Sequence, residues 1–293
     1  MQQYLKRALN ILVLLIAYVR INVFSFLCAV KWIVLGRGSP YTLVHKLASI
    51  LEPRYVCVKG SKPIRGGKTM YFVNHRSWAD FFVDGDMISN SSYLSRMAVI
   101  FAFPPACLCG YLLQFVWFFK RQRGISREWF TSFFKKNWAI RPNSGVIVYP
   151  EGHRFKGEGT LNLKTGVMEV AYNLGVPCQI VLSNGKEKLM DEISLQINKH
   201  QLITICVSDV LDPTQFKTKE EWFEYVREQW KKTYEQLNQG EPEGEPFFAP
   251  LPGLKKEQEE ESLPLKRRTI ASVFAAAIVA VTAIVVRIIL RFL

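Results

Sequence analysis

Val73-Asn74-His75-Arg76-Ser77-Trp78-Ala79-Asp80 is the stretch around which the 293-residue chain is organised. The run Met70-Tyr71-Phe72-Val73 has the aromatic and β-branched character of a buried strand, and after Val73 the hydrophobic period changes. Ser77-Trp78-Ala79-Asp80 is a capping-box pattern that predicts a helix running to about Ser89. His75 therefore falls in a strand-to-helix corner, with Asp80 about one turn further on. An imidazole beside a carboxylate is held in one tautomer and stabilised when protonated, as a general base for a hydroxyl requires. A plainer reading of the same residues makes Asp80 a helix cap and His75 a surface corner residue.

Working outward, residues 55–58 are predicted as a strand, separated from 70–73 by the turn-rich segment 60–68. Gly66-Gly67-Lys68-Thr69 invites a nucleotide-binding reading, but Lys62 stands where a P-loop needs its first glycine, and the segment leads into a strand rather than a helix. Residues 115–119 read as a buried strand ending in Lys120-Arg121, and 126–138 as an aromatic-rich helix. Val146-Ile147-Val148-Tyr149 is a strand that ends in Pro150-Glu151-Gly152-His153-Arg154. A helix over 163–174 closed by Gly175 follows, then strands at 179–182 and 201–207 and a charged amphipathic helix from Thr218 to about Leu237. The alternation predicts an α/β domain over 37–238, with a mixed, largely parallel sheet flanked by helices.

The flanks point to a membrane. The chain carries 38 Lys and Arg against 25 Asp and Glu, a net charge of +13. Many of the basic residues border apolar segments (Lys6-Arg7, Lys31, Lys266-Arg267-Arg268, Arg287, Arg291), which fits lipid headgroups and excludes a nucleic-acid groove. Residues 1–36 form an N-terminal anchor or interfacial helix: at about 100° per residue, Lys6, Arg20 and Lys31 fall within roughly 40° of one another, a narrow basic stripe on an otherwise apolar helix. A tilted transmembrane helix with Arg20 turned to the protein is the other reading. Residues 239–264, rich in Pro, Gly and Glu, are expected to be a flexible acidic linker. Residues 265–293 hold the clearest span, with 269–286 free of charge and long enough to cross the hydrocarbon.

His75, Arg121 and the Glu151–Arg154 loop each follow a predicted strand, and in open α/β sheets ligands collect at the carboxyl ends of strands. Arg121 and Arg154 suit a phosphate, and Glu151 suits the task of orienting Arg154 or a substrate hydroxyl. The six scattered cysteines fit a reducing compartment, and no metal-ligand spacing is present.

Asn74-His75 through Asp80, Phe118-Phe119-Lys120-Arg121, Pro150-Glu151-Gly152-His153-Arg154 and Gly175-Val176-Pro177 resemble, in order and approximate spacing, the four motifs of the glycerolipid acyltransferase family. That family includes the 1-acylglycerol-3-phosphate and related lysophospholipid acyltransferases. The resemblance covers about residues 55–185. It implies acyl transfer to a lysophospholipid hydroxyl with acyl-CoA as co-substrate and no cofactor or metal, His75 as base and Asp80 as its partner. Arg121, Glu151, Gly152 and Arg154 would bind the acceptor, most simply 1-acylglycerol-3-phosphate. The C-terminal span is expected to anchor the catalytic domain on the cytosolic face of the endoplasmic reticulum, the mitochondrial outer membrane being the alternative. His153 departs from the family's usual threonine, and Lys120 resembles the eukaryotic branch acting on lysophosphatidic acid or lysocardiolipin.

Three rivals stand beside this reading: another acceptor such as lysocardiolipin or glycerol 3-phosphate, a cysteine acyl-enzyme built on Cys57 or Cys178, and a non-catalytic tail-anchored lipid-binding protein. Backbone N–H groups at the helix start after His75 are the expected oxyanion donors. The uncharged residues 97–119 are long enough to span a bilayer, yet a crossing there would put His75 and Arg154 on opposite sides. The segment is therefore expected to fold back at Pro104-Pro105 and to dip partly into the lipid leaflet.

Overall fold

The parity of side chains along Met70–Val73 dictates the layering. Tyr71 and Val73 join one hydrophobic cluster with Leu43, Leu47 and Phe82, whereas Met70 and Phe72 join a second with Trp138, Met168 and Trp222. Alternate residues of a strand point to opposite faces, so this strand sits between two cores. The structure, a computed structural model, describes residues 2–120, 125–157, 159–191, 193–254 and 260–292.

Among the described residues the main sheet has eight strands: β1 (Arg54–Val58), β2 (Met70–Val73), β3 (Ser91–Arg96), β4 (Val116–Phe119), β5 (Gly145–Val148), β6 (Cys178–Asn184), β7 (Leu202–Leu211) and β8 (Pro242–Phe247). Their spatial order is β8-β1-β7-β6-β2-β5-β3-β4. The block β6-β2-β5-β3-β4 is parallel throughout. β7 runs antiparallel to β6, β1 parallel to β7, and β8 antiparallel to β1. The carboxyl ends of all five parallel strands therefore share one edge.

The longer helices are α1 (Gln2–Leu35), α2 (Pro40–Leu51), α3 (Asp80–Met87), α4 (Pro104–Leu113), α5 (Arg127–Ile140), α6 (Thr165–Leu174), α7 (Lys219–Gln239) and α8 (Leu265–Phe292). Their ends follow the expected chemistry. Ser126 caps α5, Gly175 at φ 57° closes α6, and Thr218 with Glu221 forms a complete capping box on α7. The start of α3 departs from expectation: regular helix begins at Asp80, whose carboxylate returns to the Ser77 N–H, while Ser77 Oγ accepts the N–H of Ala79.

Residues 97–119 fold back as expected. A single turn (Val99–Ala102) breaks at Phe103 ahead of Pro104, and α4 then returns the chain to β4, which pairs in parallel with β3. α4 is largely buried, packed against α1 and α8. A stripe of α1, Ala17, Ile21, Ser25, Ala29 and Trp32, is buried. α1 and α8 are long and apolar enough to cross a membrane. The basic residues at the start of α8 serve packing as well as charge: Arg268 donates to the carbonyls of Ile33 (2.6 Å) and Val34 (3.0 Å), capping α1.

The expected flexible linker over 239–264 is corrected by the structure. Residues 242–247 are edge strand β8, Ala249 and Leu251 are buried, and Glu261–Ser262 pairs with Arg37–Gly38. An edge strand bonds through its backbone while its side chains face water, so a Pro- and Glu-rich composition is compatible with it. Residues 255–259 lie outside the described residues.

Candidate active site

β2 ends at Val73 between β6 and β5, and the next residue is clamped. The Asn74 side chain donates to the Ser183 carbonyl (2.8 Å) and accepts the Ser183 N–H (3.0 Å). His75 then stands in the corner with its Nδ1 2.6 Å from Asp80 Oδ2. Asp80 is 2 % exposed at the side chain and His75 26 %, so the carboxylate is sealed while the ring reaches the surface. Asp80 also accepts the N–H groups of Arg76 (2.7 Å, Oδ2) and Ser77 (3.1 Å, Oδ1). Burial pushes the Asp80 carboxyl up, but the Lys186 charge, the His75 bond and the backbone donors outweigh it and hold it below the ordinary value. An ionised Asp80 accepts only, so His75 carries its proton on Nδ1 and leaves the Nε2 lone pair free.

Three of the backbone donors expected for an oxyanion are spoken for. Arg76 and Ser77 N–H go to Asp80, and Ala79 N–H goes to Ser77 Oγ. What the corner provides is a fixed carboxylate and, through it, a fixed imidazole.

Glu151, expected to meet the acceptor, is buried and turned to backbone. Its Oε2 accepts the His75 N–H (2.8 Å) and its Oε1 the Leu161 N–H (3.3 Å). Together with the bond from Phe155 N–H to the His75 carbonyl (2.9 Å), it ties the loop after β5 to the loop after β2. Gly152 adopts φ 78°, a left-handed conformation natural to glycine, and its carbonyl accepts from Arg96 at 2.8 Å. Arg154 is exposed, its guanidinium 5.6 Å from the Trp78 ring centroid, and His153 is exposed beside it. Arg121 lies outside the described residues; β4 brings the chain to the same edge at Phe119.

Three further residues complete the surroundings of His75. Tyr149 stacks on the imidazole with centroids 4.3 Å apart and planes 18° from parallel. Its hydroxyl donates to Asp84 Oδ2 at 2.9 Å. Lys186, fully buried after β6, donates to Asp84 Oδ1 (2.8 Å) and to the Asn74 carbonyl (3.0 Å), and lies 3.5 Å from Asp80 Oδ1. Burial pushes Asp84 up to about 7, with the Lys186 charge opposing it and the Asp80 charge adding to it. For Lys186 burial acts downward, but the two carboxylates more than compensate and raise it. Sequence reasoning passes over Lys186 because nothing local separates it from Lys188 two residues on.

A cysteine nucleophile finds no support. Cys178 pairs with Met70, at the opposite end of β2 from His75, and burial raises its thiol well above the ordinary value. Cys57 lies on β1, three strands from β2. Among the described residues no group of His, Cys, Asp and Glu forms a metal cluster.

The fold and the corner define an α/β domain with a His–Asp pair at the carboxyl edge of a largely parallel sheet. Residues 55–182 match the family model described as Acyltransferase. The chain is similar in fold to the crystal structure of the 1-acyl-sn-glycerophosphate (LPA) acyltransferase, PlsC, from Thermotoga maritima, with TM-score 0.58 and 18 % identity over 82 % of this chain and 98 % of that one. No curated protein matches the chain significantly in sequence.

Proposed function

We propose that the protein transfers a fatty acyl group from acyl-CoA to the free hydroxyl of a lysophospholipid at a membrane, with conversion of 1-acylglycerol-3-phosphate to phosphatidic acid as the best-fitting reaction. The observation that carries the reading is the 2.6 Å bond between His75 Nδ1 and Asp80, which leaves Nε2 as a base at the rim of the sheet. Nε2 takes the hydroxyl proton, and the oxygen attacks the thioester carbonyl. Collapse of the tetrahedral intermediate breaks the C–S bond, and the departing thiolate recovers the proton from the imidazolium. Arg154, with Arg121, is assigned the acceptor's phosphate, and Glu151 and Gly152 shape the loop that presents Arg154. Residues 37–238 form the catalytic unit in this reading, and 1–36 and 265–293 the membrane attachment. The endoplasmic reticulum is the proposed site, with the domain in the cytosol.

The test uses full-length protein in lipid nanodiscs, given acyl-CoA or an acyl carrier protein thioester and 1-acylglycerol-3-phosphate, lysocardiolipin or glycerol 3-phosphate. Transfer from acyl-CoA to 1-acylglycerol-3-phosphate is expected to dominate, and His75→Ala is expected to lower kcat by about 10²–10⁴-fold. Full activity in His75→Ala would refute catalysis by this corner; preference for another acceptor would reassign the substrate.

A further inference from the structure

His75, Asp80, Lys186, Asp84 and Tyr149 form a closed circuit. The imidazole bonds Asp80, Asp80 faces Lys186, Lys186 holds Asp84, Asp84 accepts from Tyr149, and the Tyr149 ring lies back on the imidazole. The five residues come from the loop after β2, helix α3, the end of β5 and the turn after β6. Asp80 and Asp84 lie four apart on α3, one turn, so both carboxylates face the same way. Lys186 is aimed at them by Gly185, whose φ of 101° turns the chain inward at the end of β6.

A wholly buried lysine between two carboxylates is poorly explained by stability, since replacing buried ion pairs with apolar residues is often neutral or stabilising. Its placement is better explained by what it does to Asp80. One oxygen of Asp80 serves His75 and the other faces the Lys186 ammonium at 3.5 Å. The ammonium also bonds the Asn74 carbonyl, fixing the backbone immediately before His75.

We infer that Lys186, supported by Asp84, is a positioning residue that sets the charge of the His75–Asp80 pair, keeping Asp80 ionised without letting His75 be locked in its protonated form. The catalytic sense of this inference rests on the proposed acyl transfer; the electrostatic sense does not. Asp80 alone would hold the proton on the imidazole more tightly and remove the base. The Lys186 cation cancels part of that pull. Beyond the five, the titratable groups facing the ring or the circuit are Tyr93 beside Asp84 and Glu151, whose carboxylate bonds the His75 amide.

The experiment follows the His75 ring by NMR in full-length protein with histidine-selective labels, its resonance assigned by its absence in His75→Ala. In Lys186→Met the pH at which the ring titrates is expected to rise by about one unit, a tenfold shift in its proton affinity. The acid limb of kcat/KM is expected to move with it, so that activity lost at neutral pH returns in part at higher pH. Because the single variant leaves Asp84 unpaired and can fail to fold, Lys186→Met/Asp84→Asn removes cation and carboxylate together. It is expected to shift in the same direction by less. A ring titration that stays put or falls in the variants that fold, or a loss of activity equal at every pH, overturns the inference. An inactive wild-type protein with the expected ring shift would refute the acyl-transfer reading and leave the electrostatic one standing.

Discussion

Asp80 serves four groups with two oxygens. Oδ2 takes His75 Nδ1 and the Arg76 N–H; Oδ1 takes the Ser77 N–H and faces Lys186. It caps the corner and orients the imidazole in the same geometry. Asp84, one turn on, differs in kind. Its carboxyl is held up near 7 chiefly by burial, against about 4 in an unfolded chain. Between those values the folded chain holds a proton that the unfolded chain has released, so folding takes up a proton and stability declines as pH rises through that window. Below about 4 both states are protonated and the contribution is level. Asp84→Asn keeps one acceptor oxygen for Lys186 and turns an NH2 toward the Tyr149 hydroxyl oxygen, which can accept it, but cannot ionise. The melting temperature of the wild-type protein is therefore expected to fall relative to that of Asp84→Asn between pH 5 and pH 8. Parallel melting curves across that range would show that Asp84 does not titrate there.

At the scale of elements, β2, β4, β5 and β6 of the parallel block were legible because each is a short apolar run bounded by turn residues, whereas β3, Ser91-Ser92-Tyr93-Leu94-Ser95-Arg96, was not, because its composition is largely polar. The helix ends were legible because Ser126, Thr218 and Gly175 carry their chemistry locally. Lys186 was not legible, because its partner Asp84 lies 102 positions away and lysines are seldom fully buried. Nor was β8, whose pairing with β1 is a matter of backbone alone and whose Pro, Gly and Glu side chains mimic a linker. Glu151 was expected to meet the acceptor, but its bonds to the His75 and Leu161 amides depend on how two loops dock, which spacing does not encode. The turn at Gly185 joins these levels. A Cβ there would sit 2.5 Å from the Leu202 carbonyl oxygen, on a backbone with φ 101°. Gly185→Ala is expected to cost about 1–3 kcal/mol and to lower activity by displacing Lys186. Urea unfolding and kcat/KM measured together check both effects, and an unchanged unfolding midpoint would contradict the strain argument.

For the whole molecule, the orientation of α1 decides, in the proposed membrane-bound reading, how the edge that carries His75 meets lipid. α1 spans about 51 Å, more than the roughly 30 Å of hydrocarbon. Its buried stripe, Ala17 to Trp32, lies against the domain side, where α2, α4 and α8 pack. Arg20 acts on the charge of Glu52, at the end of α2. Val19, Val23, Leu27, Val30 and Val34 are exposed and, at about 100° per residue, lie on the opposite face. A helix held along the domain by one face with an apolar stripe on the other fits an interfacial position better than a perpendicular crossing. Exposed Arg20 and Lys31 lie on a flank, from which cations reach headgroups. α8 begins where Arg268 caps α1, packs through Ala271 and Ala275, and leaves Val273, Phe274, Val279 and Val281 exposed. Single cysteines at Val19, Val23, Val30 and Val34, labelled with bimane in the full-length protein and quenched by nitroxide lipids of graded depth, distinguish the two orientations. A helix lying in the interface gives all four sites one shallow depth. A crossing helix spreads Val19 and Val34 by about 22 Å along the normal at 1.5 Å per residue, and a steady gradient of that kind would overturn the interfacial placement.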